Sequence, residues 1–320
     1  MTDNTTKNAG NGLIDCETAL CESIKYLNSP EAEKSVALDP YWPKWNSPWW
    51  HMTLLHEMGL TEMIPYGIMD IMIKAVNSHY LHYFPFTEKD APEGTSFLNV
   101  MCHCALGTIY KIAFARGVDA DGEIPWAREW FLKYQLPDGG LNCDETVYTK
   151  PVKKSSMVST MAPLEAILYC SNHKFSREEL DFLDKGAEYL ISHKLFKSTS
   201  GKVIDEGWLK LCFPRFYKYD VLRGLSFLAR WASVRNKTID ARSIEESVSH
   251  IKTHLANNGE FIVPQRLSYA GSNSFTVFED KTFKKEKASS FELLEAVSST
   301  SKISPYLTNE WNEAKRLLNL

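Results

Sequence analysis

Four stretches of this 320-residue chain carry side chains suited to chemistry. Cys102-His103-Cys104 sets three metal-ligand side chains in a row, which invites zinc or thiolate chemistry. Successive residues on a helix point about 100° apart, so one ion cannot take all three. The metal set expected from the sequence is Cys102, His103 and Cys143, with Asp144 or a distant histidine as substitutes. The competing reading is two core cysteines flanking a hydrogen-bonded His103, itself also a candidate catalytic residue. Asp119 and Asp121, two apart, are the carboxylates that would suit magnesium.

The other clusters offer acid–base and binding groups. His51 and His56 are five apart and so fall on different helix faces, unlike the four-apart pair of a metal helix. His51 is read as a general acid or base turned to a cavity. In Asn142-Cys-Asp-Glu145 the carboxylates of Asp144 (catalytic) and Glu145 (substrate-binding) lie just past a turn. Arg215, Tyr217, Tyr219, Asp220 and Arg223 form the densest polar-aromatic group. As a substrate site, Arg215 and Arg223 take a phosphate or carboxylate, Tyr217 and Tyr219 donate hydroxyls, and Asp220 is the base. The plainer reading is a buried salt bridge, Asp220 to Arg223, that pins a loop. Trp49 and Trp50 supply aromatic walls for an isoprenoid chain, a sugar face or the core, and Glu165 is a partner for Arg or Lys.

The elements that must position these groups are helices of two kinds. Ser176-Arg-Glu-Glu179 is a capping box ahead of Leu180, Leu183, Ala187, Leu190 and Ile191, which repeat at helical spacing with one wet face. Ile244, Val248, Ile251 and Leu255 do the same. Leu98–Phe114 and Tyr217–Trp231 are apolar almost all round, as a helix covered on every side must be. Alternation of the kinds predicts pairs at 14–28 and 48–59, 62–80 and 96–116, 124–135 and 155–170, 176–195 and 216–233, 241–256 and 287–299, with a closing helix at 306–319. Gly140, Gly201 and Gly259 stop the wet helices about sixty residues apart, a repeat that implies stacked helical hairpins. The expected fold is all-α, an α/α toroid of about five pairs around a central cavity, spanning 13–320 behind a loose tail at 1–12. The β-prone pieces Phe261–Val263 and Phe275–Phe278 suggest a hairpin-like insertion at 259–287.

Composition narrows the class. Hydrophobic residues at 44% and charged residues at 24% are globular values, and a net charge of −4 gives no field for a nucleic acid backbone. No apolar run reaches the length of a spanning helix, so no membrane insertion is expected. Seven scattered cysteines without a disulfide framework fit a reducing compartment, the cytoplasm.

Trp130–Gln135, Asp138-Gly-Gly-Leu141 and the helix Ser155–Leu168 together resemble one repeat of the protein prenyltransferase β-subunit and squalene/hopene cyclase superfamily. Phe216-Tyr-Lys-Tyr-Asp-Val-Leu-Arg-Gly-Leu225 resembles the start of a later inner helix there. The resemblance covers about a third of the chain. It implies an α/α toroid and an enzyme acting on an apolar, isoprenoid-type small molecule, with a partner subunit as in the prenyltransferases. The chain departs from the family in lacking an Asp-x-Asp-Asp acid. At Phe216–Asp220 it has neither His nor Cys, so the family's zinc ligands do not carry over. A carbohydrate-active α/α barrel and a non-catalytic binding platform are the alternatives.

Overall fold

The computed structural model describes residues 16–95, 99–266, 271–280 and 282–320. The expected tail at 1–12 lies outside them. The chain opens with α1 (Cys16–Leu27), α2 (Pro30–Leu38), α3 (Pro48–Glu57), α4 (Tyr66–His79) and α5 (His103–Ala115). It continues with α6 (Ala120–Glu123), α7 (Trp126–Lys133), α8 (Met157–Tyr169), α9 (Arg177–Ser192), α10 (Val221–Arg235) and α11 (Ala241–Lys252). The hairpin β1 (Asn273–Val277) and β2 (Phe283–Lys287) precedes α12 (Glu292–Val297) and α13 (Pro305–Leu318). The fold is mostly helical, as expected.

The two kinds of helix take different places because of how much apolar surface each must hide. α8 buries eleven of its thirteen residues, whereas α11 buries four of its twelve along one stripe. The covered helices contact one another in series: α3 packs on α5, α5 on α8, α8 on α10, and α10 on α13. The amphipathic helices lie against them, α7 on α5, α9 on α8 and α11 on α10.

A repeated turn ends three amphipathic helices. The N–H of Leu136 reaches the carbonyl of Gly140 at 2.8 Å, and Ser198 to Lys202 (2.7 Å) and Ala256 to Glu260 (2.8 Å) copy it. Inside each turn the glycine N–H closes back on the carbonyl three residues earlier, at Gly139, Gly201 and Gly259. All three have positive φ, where a side chain would be strained. The left-handed position in the first turn is therefore Gly139, not Gly140.

Several boundaries depart from expectation. α10 starts at Val221 because Asp220 caps it, accepting from the Arg223 N–H, so Tyr217 belongs to the preceding loop. α5 starts at His103, and of the expected 96–116 span residues 96–98 are not described. α2, started by Ser29 and Pro30, has no counterpart among the expected pairs. Among the described residues of 259–287, 273–277 and 283–287 are the ones that pair as strands. Phe261 bridges Leu255 and Ile262 bridges Ile303, so that piece ties α11 to the start of α13 instead.

Connection lengths sort the two ends of the covered helices. The segments entering α5, α8 and α10 are long, and those leaving α8 and α10 are short. Cys102, Cys104, Cys143, Lys44 and Tyr217 all belong to the entering side.

Candidate functional site

Cys102 is the residue before α5 and has extended backbone (φ −72°, ψ 149°), so its side chain does not follow the helical step. That removes the geometric objection to pairing it with Cys104. The two sulfurs lie 3.1 Å apart, and Cys143 Sγ, from the α7–α8 connection, lies 3.8 Å from Cys104 Sγ. All three sulfurs fall within 4.8 Å of one another, a group able to hold a metal ion. Cys104 thus takes the place expected for His103.

His103 turns the other way, into the core. Its Nδ1 accepts the indole N–H of Trp130 at 2.8 Å, and its Nε2 lies 3.1 Å from Tyr148 Oη. Burial pushes its pKa down to about 4, so the ring is neutral. An indole can only donate, which puts the ring proton on Nε2 and makes Tyr148 Oη its acceptor. Tyr148 Oη also accepts the Asn142 N–H and donates to the Tyr134 carbonyl. Through Tyr148, His103 fixes the backbone that carries Cys143, whose own N–H donates to Ser159 Oγ at 3.0 Å.

Electrostatics around the sulfurs are uneven. Hydrogen bonds from Cys102 and Cys104 hold the Cys143 thiol well below the ordinary thiol range, and the same contacts push Cys104 up. The N-terminus of α5 adds positive potential beside Cys102 and Cys104. Lys44 and Tyr217 are within electrostatic range of both. The Lys44 ammonium sits 5.1–5.5 Å from the ring centres of Tyr41, Trp42, Trp45 and Tyr217 and donates to Tyr217 Oη at 3.4 Å. Lys218 lies over the same Tyr217 ring. Among the described residues neither lysine forms an ion pair with a carboxylate.

The Arg215–Arg223 group is brought together, and it is consumed by structure. Asp220 is fully buried; one oxygen accepts Arg215 Nη1 at 2.8 Å and the Arg223 N–H at 2.9 Å. The Arg223 guanidinium forks onto Glu165 at 2.6 and 2.7 Å, and Lys111 binds the same carboxylate. The expected Asp220–Arg223 side-chain pair is therefore two pairs, Asp220 with Arg215 and Arg223 with Glu165. Tyr219 Oη donates to the Leu195 carbonyl at 2.6 Å. Trp49 and Trp50 are fully buried, and the Trp50 indole donates to the Tyr41 carbonyl.

The remaining candidates lie apart. His51 Nδ1 meets Ser23 Oγ at 2.9 Å and its ring stacks on Phe291 at 3.7 Å, between α1 and α12. Asp144 is exposed and caps a 3-10 turn (Glu145–Thr149) through Thr146, and Glu145 starts that turn. Asp119 caps α6, and Asp121 takes the Tyr110 hydroxyl and flanks Arg128, so these carboxylates are occupied without magnesium.

A second feature escaped the sequence reading. A cavity of about 410 Å³ lies among α3, α5, α8, α10 and α13 and is lined by His56, Glu57, Lys111, Tyr169, Arg215 and Glu310, with others. Of its lining, Arg215 and Arg223 were expected as substrate-binding residues and His56 as a lesser acid–base candidate, whereas Glu57 and Glu310 were not singled out. Nothing local marks Glu57 or Glu310 as special: Glu57 is the last residue of the covered helix α3, and Glu310 sits in the amphipathic helix α13.

Comparison with protein-family models, curated proteins and solved structures returns no significant match. Among the described residues no helix is long and apolar enough to cross a membrane.

Proposed function

We propose that this chain is an α/α toroid enzyme in which Cys102, Cys104 and Cys143 hold a zinc ion that activates a thiol for alkyl transfer. The inner ring is α3, α5, α8, α10 and α13, and the zinc lies at the end where the long connections enter. The observation that carries this reading is the meeting of three thiols from two separate connections at that one end. Single buried cysteines pack as small apolar groups; here three sulfurs converge beside a helix N-terminus, where thiolates are favoured.

Three thiolates leave zinc one open position. Their combined charge makes the ion a weak Lewis acid and favours a soft ligand there, so the chemistry expected is nucleophilic sulfur and not water activation. A thiol entering that position releases its proton to solvent. Its sulfur lone pair forms a bond to carbon of the alkyl donor, the carbon–oxygen bond to the leaving group breaks, and the anion departs with the electron pair. Zinc stays divalent throughout. Lys44 and Lys218 suit that anion, and the half-buried rings of Tyr41, Trp42 and Tyr217 suit an apolar donor such as an isoprenoid diphosphate. A sugar platform has less support, because Trp49 and Trp50 offer no open face.

Cobalt substitution tests the reading. Co(II) added to the full chain in a phosphine reductant should give sulfur-to-metal charge-transfer bands, and a small thiol should then shift the visible bands. Incubation with that thiol and dimethylallyl diphosphate should yield the thioether by mass spectrometry. Bands that are absent, or unchanged in Cys104→Ser, would remove the metal site; bands without thioether would remove the transfer.

A further inference from the structure

The charged cavity is lined by the C-terminal ends of α3 and α8, by the segment that enters α10 and by the start of α13, shares no residue with the three thiols, and is not used by the alkyl-transfer reading. Its charges form two unequal groups. Arg215 alone faces three carboxylates: Asp220 on Nη1, Glu310 on Nη2, and Glu57 Oε2 on its backbone N–H at 2.7 Å. Glu165 alone faces two cations, Lys111 and Arg223. With every carboxyl ionised these seven groups carry one negative charge in excess; Asp220 does not line the cavity, whose own lining holds three cations and three carboxyls.

Two carboxyl oxygens of the Arg215 group, Glu57 Oε1 and Asp220 Oδ2, are shut off from water with no hydrogen-bond partner among the described residues, and of the two residues Glu57 lines the cavity. An unpaired acceptor at such a place costs the full loss of hydration, and a structure tolerates it where a ligand completes it. Every cation in the cavity already has its carboxylate, which leaves no vacancy for an anion. A hard metal ion asks for several oxygens, and Arg215 already takes one oxygen from each of Glu57 and Glu310. The lining also holds aromatic rings: Phe213 stacks on Tyr306 at 4.2 Å, and Tyr169 at the end of α8 is 40% exposed. Carboxyl acceptors beside open ring faces are the surroundings that an alkylammonium group prefers to bulk cations.

We infer that this cavity binds a small organic ammonium ion, its N–H groups on Glu57 and Glu310 and its methylenes along Tyr169 and Tyr306. Burial holds both carboxyls above the usual carboxylate range, and an ammonium ion beside them favours their charged form. The site does not depend on the zinc reading, since it shares no residue with the three cysteines.

Calorimetry and thermal unfolding of the full chain with propylamine and putrescine, against butyrate and potassium chloride at equal ionic strength, test it. The amines should bind and raise the melting temperature, and the two controls should not. Glu57→Gln keeps an oxygen for the Arg215 N–H, so it should fold, and it should weaken amine binding by about tenfold or more. Tyr169→Leu should weaken it by a smaller factor, and Cys104→Ser should leave it unchanged. No amine binding at millimolar concentration, equal binding of butyrate, or undiminished binding by Glu57→Gln would each overturn the inference.

Discussion

His103 accepts the indole N–H of Trp130 at 2.8 Å, and this single contact fixes both its tautomer and its part in the thiol cluster. The ring is a positioning group: its Nε2–H holds Tyr148, and Tyr148 holds the Asn142 N–H ahead of Cys143. His103→Gln should therefore leave all three sulfur ligands present yet weaken zinc binding about tenfold. Competition with a chromophoric chelator measures it. Loss of one whole ligand's signature from the cobalt spectrum of His103→Gln would show instead that the imidazole coordinates.

Acid should destabilise the fold earlier than its carboxylates would suggest. Burial pushes His51 down to about 3 and His56 and His103 to about 4. In the unfolded chain all three titrate near 6.5. Below that pH the unfolded state gains protons that the folded state refuses, so stability is full above pH 6.5 and falls as pH drops toward 4. Three such protons give a slope of about 4 kcal/mol per pH unit near pH 5. Glu57 and Glu310, raised by burial, act in the opposite sense above pH 4.3, losing stability as pH rises. Urea titrations from pH 7 to 5 should show the midpoint falling, and replacing His56 by Gln should flatten the curve.

Glu165 is the most exacting charge in the core. Lys111 and Arg223 both close on it and hold it far below the ordinary carboxylate range against the opposing pull of burial. Glu165→Gln leaves two buried cations sharing a neutral amide, which should cost about 3–5 kcal/mol. Chemical denaturation measures this; a cost under about 1 kcal/mol would mean that the network is wetter than its geometry.

The crossing of α5 and α8 rests on Gly107. A β-carbon there would come within 2.6 Å of the Ala162 carbonyl carbon, and backbone cannot swing aside as a long side chain does. Gly107→Ala should destabilise by about 1–3 kcal/mol despite its higher helix propensity. A stabilised variant would contradict the close approach.

The helical class and the hairpin repeat were legible because they are written locally. Ser176 and Glu179 form their capping box, and the turns at Gly139, Gly201 and Gly259 share one hydrogen-bond pattern. Asp220 was read inside a helix at 216–233 and paired with Arg223 three ahead, whereas it caps the helix and its side-chain partner is Arg215, five residues back. The thiol cluster was half visible. Helical spacing, applied to Cys102-His103-Cys104, chose the wrong pair, because Cys102 sits just outside the helix where that spacing does not hold. Glu57 and Glu310 come from opposite ends of the chain and meet only through Arg215, a relation no local pattern encodes.

The most direct test of the zinc reading is the metal content of the untagged full chain, purified without chelators and measured by native mass spectrometry beside elemental analysis. The three-thiol centre predicts one zinc per chain, lost in Cys102→Ser, Cys104→Ser and Cys143→Ser alike and retained in His51→Gln. A chain that stays metal-free in micromolar zinc with all seven cysteines reduced, or that keeps its zinc without Cys104, would contradict it.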